Sequence, residues 1–474
     1  MNELEILNFY NSWWLTGKVP SSLLKKYQRE AFFLLEARLP YEKWRRILSL
    51  IGPRQTGKTT LLYQLINSLL EAKISPQRIL FLSISDPLFA NNLAFLEKCL
   101  EIYEREVLGE PLNNLKEPVY IFLDEIQYLD GWELWLKRYY DLGYKIKFVV
   151  SGSASSKIIQ KGRESLAGRI EEVKLYPLSF REFLDFRFGE KERTLYYFSW
   201  ENRGIWRDLF RFKSFSAFGK KLREKKAKVA AMNNQALIFL REYWEKGGFP
   251  GVYQYSDKET IYRYLNQDVL ERVAALDIPQ ISQIRDVRLL QTLLLTVAQR
   301  TGSLFSYQKL ALESGVRQET IRSYLYYLSL SFLISEIWQF RRSETARLKA
   351  GKKFYICDLG LRRALLKYFS SPADLGAEAE TLVFNHLRKE EERKISFWRQ
   401  GGKEVDFVLD GGDFILPIEV KYKENISPLD LKGLRKFLAT FGLEGGVVIT
   451  KSLFDFEPNE KIFFLPLWFF LLLN

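Results

Sequence analysis

The stretch ILSLIGPRQTGKTT, residues 47 to 60, decides how the first part of the chain folds. An apolar run that reads as a buried strand leads straight into G-x-x-x-x-G-K-[ST], and a helical pattern follows. That context, strand then loop then helix, separates a phosphate-binding loop from a chance match. Gly52 and Gly57 let backbone N–H groups curl around phosphates, and the N-terminus of the helix adds a favourable dipole. The loop positions Pro53, Arg54, Gln55, Thr56 and Thr60 complete the expected nucleotide cradle. Lys58 is expected to reach the β- and γ-phosphates of ATP, and Thr59 to ligate Mg²⁺.

Further apolar runs separated by helical stretches extend the pattern: ILFLSI (79–84), VYIFLDE (119–125), KFVVSGS (147–153) and EEVKLYP (171–177). Strands alternating with helices predict an α/β fold with a largely parallel sheet covered on both faces. Asp124, at the end of its strand, is placed to hold Mg²⁺ through the water shell of the ion. Glu125 follows it and is placed to orient or deprotonate the attacking water. Ser151 and Ser153 fall at the tip of the next strand, where a hydroxyl can sense the γ-phosphate; a turn-forming Ser-Gly-Ser explains them nearly as well. Arg169 in LAGRIEE is a candidate for supplying transition-state charge, in cis or from another subunit, and equally an ordinary surface arginine.

At 474 residues and 47% hydrophobic composition, the chain has material for about three domains. Lys and Arg number 71 against 58 Asp and Glu, a formal net charge of +13. That excess favours an acidic partner, DNA first and an anionic membrane surface second. Two cysteines, Cys99 and Cys357, cannot build a disulfide framework, so a reducing cytoplasm is expected. The single histidine, His386, argues against zinc sites and histidine-based triads. The acidic start reads as no signal peptide. The apolar end, FFLPLWFFLLLN, is shorter than the roughly 20 residues of a spanning helix. It is expected as a final buried strand or helix, with no membrane insertion.

Residues 1–46 are expected to be mostly helical, with an amphipathic pattern in LLKKYQREAFFLLEARL. No strand pattern is visible from about 178 to 285. Within that span, residues 203–228 hold ten Lys or Arg against two acids, interleaved with Trp206, Phe210, Phe212, Phe215 and Phe218. Cations for phosphates and rings for bases would suit nucleic acid, although such rings more often form the inner face of a helix. SYQKLALESGVRQETIRSYLYYL (306–328) reads helix, turn, helix, with Gly315 at the turn. Leu310, Ala311, Val316, Ile321 and Leu325 are expected to pack the pair, leaving Arg317, Gln318, Arg322 and Tyr326 for a groove. FLISEIWQFRRS and KKFYICD would form the wing of a winged helix, with Arg341, Arg342, Lys352 and Lys353 near phosphate height. The expected boundaries are 1–180 for N-terminal helices and ATPase core, 181–287 for a helical lid region, 288–345 for the winged helix and 346–474 for a second α/β domain.

KEVDFVLDGGDFILPIEVKYK (403–423) carries the second candidate chemistry. Alternation along a strand puts Glu419 and Lys421 on one face, with Ile418 and Val420 turned to the core. If the two strands pair, Asp406 and Glu419 converge on one Mg²⁺, and Lys421 stabilises a nucleophilic water or the pentavalent phosphate. Glu380, in the helical stretch GAEAETLVFNHL, is placed to reach the same ion. A charged strand edge with solubilising residues is the plain alternative.

Taken in order, GPRQTGKTT, IFLDEIQ, SGSASS, LAGR, YPLSFREFL, GGFP, FYICDLGL and EVDFVL…PIEVK resemble a prokaryotic, largely archaeal family of AAA-type ATPases, over most of residues 45–425. The resemblance implies an AAA-type P-loop ATPase sheet with a helical lid, a winged helix and a restriction-endonuclease-like domain. It also implies ATP and Mg²⁺ at Gly52, Lys58, Thr59, Asp124 and Glu125. The endonuclease motif usually has Pro before its Asp, whereas Val405 stands there. The leading expectation is a Mg²⁺-dependent ATP hydrolase that binds DNA and processes it at Asp406, Glu419 and Lys421, possible as a homo-oligomer. The alternative is an ATP-switched DNA-binding or interaction regulator whose nuclease fold does not cut.

Overall fold

The computed structural model describes residues 2–153, 165–189, 193–202, 204–274, 278, 284, 286–341, 343–348, 350–367, 374–390, 393–457 and 461–473. They divide into two compact units. One holds residues 1–176 with 271–285 and 330–332, and the other holds the rest.

The first unit is built on β1 (Ile47–Gly52), β2 (Ile79–Ser83), β3 (Val119–Asp124), β4 (Ile146–Ser153) and β5 (Ile170–Lys174). They lie in the order β2-β3-β4-β1-β5, and every pairing is parallel. Every residue of β1, β3 and β4 is buried, which explains why these strands read as unbroken apolar runs instead of alternating ones. The α/β parallel sheet expected from the sequence is therefore present. Register aligns Gly52 with Ser153 and Ser83 with Asp124, so the carboxyl ends of β1, β3 and β4 open at one edge. Ligands bind at that edge in open α/β sheets.

The N-terminal segment is less helical than its pattern suggests. Helices cover Glu3–Tyr10, Trp13–Thr16 and Glu30–Arg38, but residues 23–29 are not helical. The Gln64 side-chain amide donates to the carbonyls of Lys25 and Tyr27, both at 2.8 Å, taking acceptors that a longer helix would use.

In the second unit, helices Phe180–Arg187, Arg193–Glu201, Ile205–Phe212 and the long Phe215–Lys246 occupy the strand-free region. Of the five rings interleaved with its basic residues, Trp206, Phe210, Phe215 and Phe218 are buried, and only Phe212 is exposed. Phe210 packs on Phe414, Phe218 on Phe463 and Trp206 on Phe470 at centroid distances of 5.3, 5.1 and 5.2 Å. The reading of these rings as base-stacking platforms is thus corrected for four of the five: apolar burial has claimed them. Several of the cations are also paired, Lys221 with Asp208 and both Lys225 and Lys228 with Glu201.

Nine described strands form one mixed sheet in this unit. They are β6 (Leu304–Phe305), β7 (Ile334–Gln339), β8 (Lys352–Ile356), β9 (Lys394–Gln400), β10 (Lys403–Asp410), β11 (Ile415–Lys421), β12 (Gly446–Thr450), β13 (Asp455–Glu457) and β14 (Ile462–Pro466). Their order is β13-β14-β12-β11-β10-β9-β7-β8-β6. Within the ribbon β6–β8, β6 lies between helices Val287–Gln299 and Tyr307–Ser314, and β7 and β8 follow helix Gln318–Leu330; the ribbon joins the remaining strands through a parallel contact, Trp338 with Ser396 and Gln339 with Phe397. The apolar end of the chain forms β14 and helix Leu467–Phe470, all buried.

Three short motifs meet in this unit. The Asp358 carboxylate accepts the Gly248 N–H at 2.6 Å and, through its other oxygen, the Leu361 N–H at 3.0 Å, capping the helix Leu359–Leu366. Leu178 donates its N–H to the Gly248 carbonyl at 2.7 Å. Gly247 has φ +80°, and a Cβ there would run into Asp358. GGFP, CDLG and PLSF are thus parts of one buried latch.

Candidate functional site

The phosphate loop begins where β1 ends. A Cβ on Gly52 would overlap the Leu175 carbonyl, so only glycine lets the strand leave the sheet at this point. Gly52→Ala is therefore expected to destabilise the first unit by about 1–3 kcal/mol, read as a lower urea midpoint; an unchanged midpoint would mean that the Leu175 backbone yields freely. Gln55 and Gly57 take left-handed conformations, φ +63° and +95°, which turn the loop into the helix Lys58–Glu71. The Thr56 hydroxyl closes the loop on the Pro53 carbonyl at 2.9 Å. The Lys58 ammonium is buried and donates to the carbonyls of Gly52 at 3.1 Å and Pro53 at 3.0 Å, lying across the mouth of the cradle.

Asp124 is buried, and its two oxygens accept the hydroxyls of Thr59, at 2.7 Å, and Ser151. Burial and the neighbouring Glu125 charge hold its carboxyl above the usual range. A buried carboxylate beside a hydroxyl, at the mouth of a phosphate loop, is a donor set suited to Mg²⁺, which keeps several waters and needs few protein ligands. Thr59 and Asp124 would hold the ion.

Glu125 has φ +54°, a left-handed conformation unusual outside glycine, and strain of this kind clusters at functional positions. Its carboxylate accepts the Gln127 amide and the Ser153 N–H, the latter at 3.1 Å. Burial pushes the Glu125 carboxyl up, but Lys58, Gln127, Ser153 and Arg54 outweigh it, and the group stands below the usual carboxylate range. That direction favours the ionised form, which a base for water needs. Ser153 also accepts from the Gln127 amide at 2.9 Å, so the strand tip and the carboxylate share one clamp.

Two contributors were not singled out from the sequence. Gln127 stands two residues after Glu125 in a motif already noted, but nothing in its spacing shows where its amide points. Arg29 is buried and donates to the carbonyls of Thr56, at 2.9 Å, and Tyr176, at 2.7 Å, bracing the loop from a distant segment. Arg169 is placed elsewhere. Its carbonyl pairs with the Ile47 N–H at the start of β1, and its guanidinium pairs with Asp141 at 2.6 Å. It therefore lies at the opposite end of a six-residue strand from the loop, about 17–20 Å away. Assistance in cis is corrected accordingly.

A second cluster is formed by β8, β10, β11 and the helix Leu375–Leu387. Phe407 pairs with Ile418, and beyond that pair the Asp406 carboxylate takes the Val420 N–H at 2.8 Å, where the β9–β10 register shifts between Val405 and Val408. Glu419 and Lys421 share a face, as alternation requires, and are hydrogen-bonded to each other. Ile418 and Val420 are buried. Burial and the Asp406 charge lift the Glu419 carboxyl well above its usual range, with Lys421 opposing. The other oxygen of Glu419, Oε2, is buried without a hydrogen-bond partner. Such an atom is costly unless a cation or donor meets it, so the Asp406–Glu419 pair fits a divalent ion.

Glu380 does not complete that pair. Its carboxylate accepts Lys353 at 3.0 Å and Tyr355 at 2.6 Å, and burial pushes it up to about 7 against the pull of Lys353. Among the described residues no group of three His, Cys, Asp or Glu is placed to hold a metal ion. Glu380, expected on one ion with Asp406 and Glu419, is engaged instead by Lys353 and Tyr355 of β8. Lys353 was expected near phosphate height on a wing; it is buried, while Lys352 lies over the Trp338 ring at 3.8 Å and pairs with Glu336 at 3.2 Å.

In the helix-turn-helix segment, Leu310, Ala311, Ile321 and Leu325 are buried, and Val316 is half-buried. Arg317, Arg322 and Tyr326 are exposed and Gln318 half-buried, with the Arg322 guanidinium 5.3 Å from the Tyr307 ring centroid. Arg341 is exposed, and Arg342 lies outside the described residues. No described helix is long and apolar enough to cross a membrane.

Residues 44–184 match the AAA domain family, an interval that contains Gly52–Thr60, Asp124, Glu125 and Ser153. The first unit thus carries an AAA-type P-loop domain. Residues 239–371 and 375–470 match two domains of unknown function, DUF8612 and DUF4143. Similar proteins include an uncharacterized protein of Haemophilus influenzae, 24% identical over 78% of this chain and 81% of its own length. Another is an uncharacterized protein of Methanocaldococcus jannaschii, 26% identical over 89% of this chain and 87% of its own. Among solved structures, Cdc6p from Pyrobaculum aerophilum aligns at 14% identity and a TM-score of 0.29, over 74% of this chain and 97% of that one.

Proposed function

We propose that the chain is a Mg²⁺-dependent ATP hydrolase whose second unit engages DNA and cuts it at Asp406, Glu419 and Lys421. The observation that carries the first half is the buried Asp124 carboxylate between the Thr59 and Ser151 hydroxyls, with the Glu125 carboxylate one residue on, held by Gln127 and the Ser153 N–H. Mg²⁺ bound there would neutralise charge developing on the β- and γ-phosphates. Lys58 swings from the loop carbonyls to the phosphates, the loop N–H groups hold them, and Glu125 accepts a proton from the attacking water. Gln127 and Ser153 orient that carboxylate.

The second half rests on the unpartnered Oε2 of Glu419 beside Asp406, with Lys421 at hand to steady a phosphate. The ribbon β6–β8 behind two helices is consistent with a winged helix, and Arg317, Arg322 and Tyr326 are the side chains it would offer to DNA. Asp406→Ala should abolish cleavage across a panel of DNA substrates with Mg²⁺ or Mn²⁺ while ATP turnover stays near wild type. Equal cutting by wild type and variant would move any cleavage away from Asp406, whereas neither cutting while DNA stays bound would leave an ATP-switched DNA-binding or interaction regulator. The absence of a three-carboxylate metal group among the described residues favours that second reading. Because Arg169 sits far from its own phosphate loop, any role for it in turnover requires a second copy of the chain.

A further inference from the structure

Lys353 is an unusual place to find a charge. It lies in the interior of the ribbon, paired through its backbone with Ile337 on one side and Leu304 on the other. Its side chain is almost wholly buried and ends between two carboxylates, Glu380 at 3.0 Å and Glu404 at 2.6 Å. Tyr355, two residues along the same face of β8, donates to the same Glu380 oxygen as Lys353. The charge of Asp406 acts on Lys353 and Glu380 as well as on Glu419 and Lys421. Asp406, Glu419 and Glu380 therefore share one largely buried centre with Lys353 and Lys421; Glu404 lies at its half-exposed rim, where Arg399 also approaches it at 3.8 Å, and Lys353 is the cation that reaches Glu380.

Burying that many carboxylates without cations is prohibitive, and a divalent ion is the usual remedy. We infer that the Lys353 ammonium is the resident cation of this centre, standing where a further divalent ion would otherwise balance Glu380. The divalent-ion position is thereby confined to Asp406 and Glu419. Glu380 is a positioning residue that anchors Lys353, and it is not a metal ligand. The inference rests on the metal reading of Asp406 and Glu419 only for the identity of the remaining position. It also gives the ribbon a mechanical tie to the centre, because β8 carries the ammonium in its backbone register.

The test is Mn²⁺ alone, titrated into the full chain without nucleotide, with free Mn²⁺ followed by electron paramagnetic resonance. All proteins carry Asp124→Asn so that the phosphate-loop site contributes nothing. Lys353→Met is expected to take up an additional Mn²⁺, or to bind it about tenfold more tightly, because Glu380 loses its cation while Glu404 keeps Arg399 at 3.8 Å. Glu380→Gln is expected to bind Mn²⁺ as the parent does. Unaltered binding by folded Lys353→Met, or loss of the parental ion in Glu380→Gln, overturns the inference. If Lys353→Met does not fold, Glu380→Gln decides alone, since a metal ligand and an anchor for Lys353 give opposite results there. Asp406→Asn separates the two readings. Mn²⁺ uptake equal to the parent would sink the metal role of Asp406, while a gain in Lys353→Met would still stand.

Discussion

Lys58→Ala is expected to lower ATP turnover by about 10³-fold or more, some 4 kcal/mol of lost transition-state stabilisation. The lysine is the one ammonium group at the mouth of the loop among the described residues, and it already lies across the loop on the carbonyls of Gly52 and Pro53. Moving from those carbonyls to the phosphates exchanges two neutral acceptors for charged ones, so the gain grows as negative charge builds on the γ-phosphate. Alanine removes that gain and also takes away the cation that helps keep Glu125 ionised. Both losses act on the chemical step, whereas the loop N–H groups that hold nucleotide remain. Binding of a fluorescent ATP analogue should therefore fall much less than turnover. Turnover within tenfold of wild type would move the hydrolytic site away from residues 52–60.

The sites differ in how far the sequence reveals them. A phosphate loop is built mainly from backbone N–H groups of consecutive residues, so the pattern at 52–60 nearly is the site. The Asp124–Glu125 pair is legible for a related reason: a fully buried strand must end in something polar, and the ends of parallel strands lie together. What the pattern could not supply was sheet order and cross-chain contact. Asp124 meets both Thr59 and Ser151 because β4 lies between β1 and β3, and no local signal encodes that order. Arg29 reaches Thr56 across an interval with no periodicity to mark it. The same limit explains the errors. Lys353 in KKFYI looks like a surface cation until the pairing of β8 on both sides turns it inward; the alternation of Lys353 with Tyr355 was visible, but the face that became interior was not. The rings at 206–218 were ambiguous between stacking platform and core, and they went to the core because Phe414, Phe463 and Phe470 lie hundreds of residues downstream.

The same long-range logic makes Glu378→Ala the substitution with the largest expected effect on stability, about 3–5 kcal/mol lost from the second unit. Glu378 is fully buried and accepts Arg362 at 2.6 Å, Arg363 at 2.9 Å and the Trp244 indole at 2.5 Å. Arg362, also buried, spends another donor on the Ala298 carbonyl at 2.8 Å, so the cluster joins four helices: Phe215–Lys246, Val287–Gln299, Leu359–Leu366 and Leu375–Leu387. Alanine leaves two guanidinium groups in a low-dielectric interior without their shared anion, with Arg362 keeping only the partly exposed Asp374 carboxylate at 3.3 Å, and neither can leave without dragging its helix. The charge itself, and not the packing, should account for most of the loss. The combined replacement Arg362→Met, Arg363→Met and Glu378→Leu removes all three charges at similar volume, and should therefore recover much of the stability that Glu378→Ala loses. Urea denaturation followed by tryptophan fluorescence reads both variants. If Glu378→Ala shifted the midpoint by less than about 1 kcal/mol, water would have to reach the two arginines, contrary to their burial. If the triple variant fared worse than the single one, the cluster would be acting through shape, and the electrostatic account would fail.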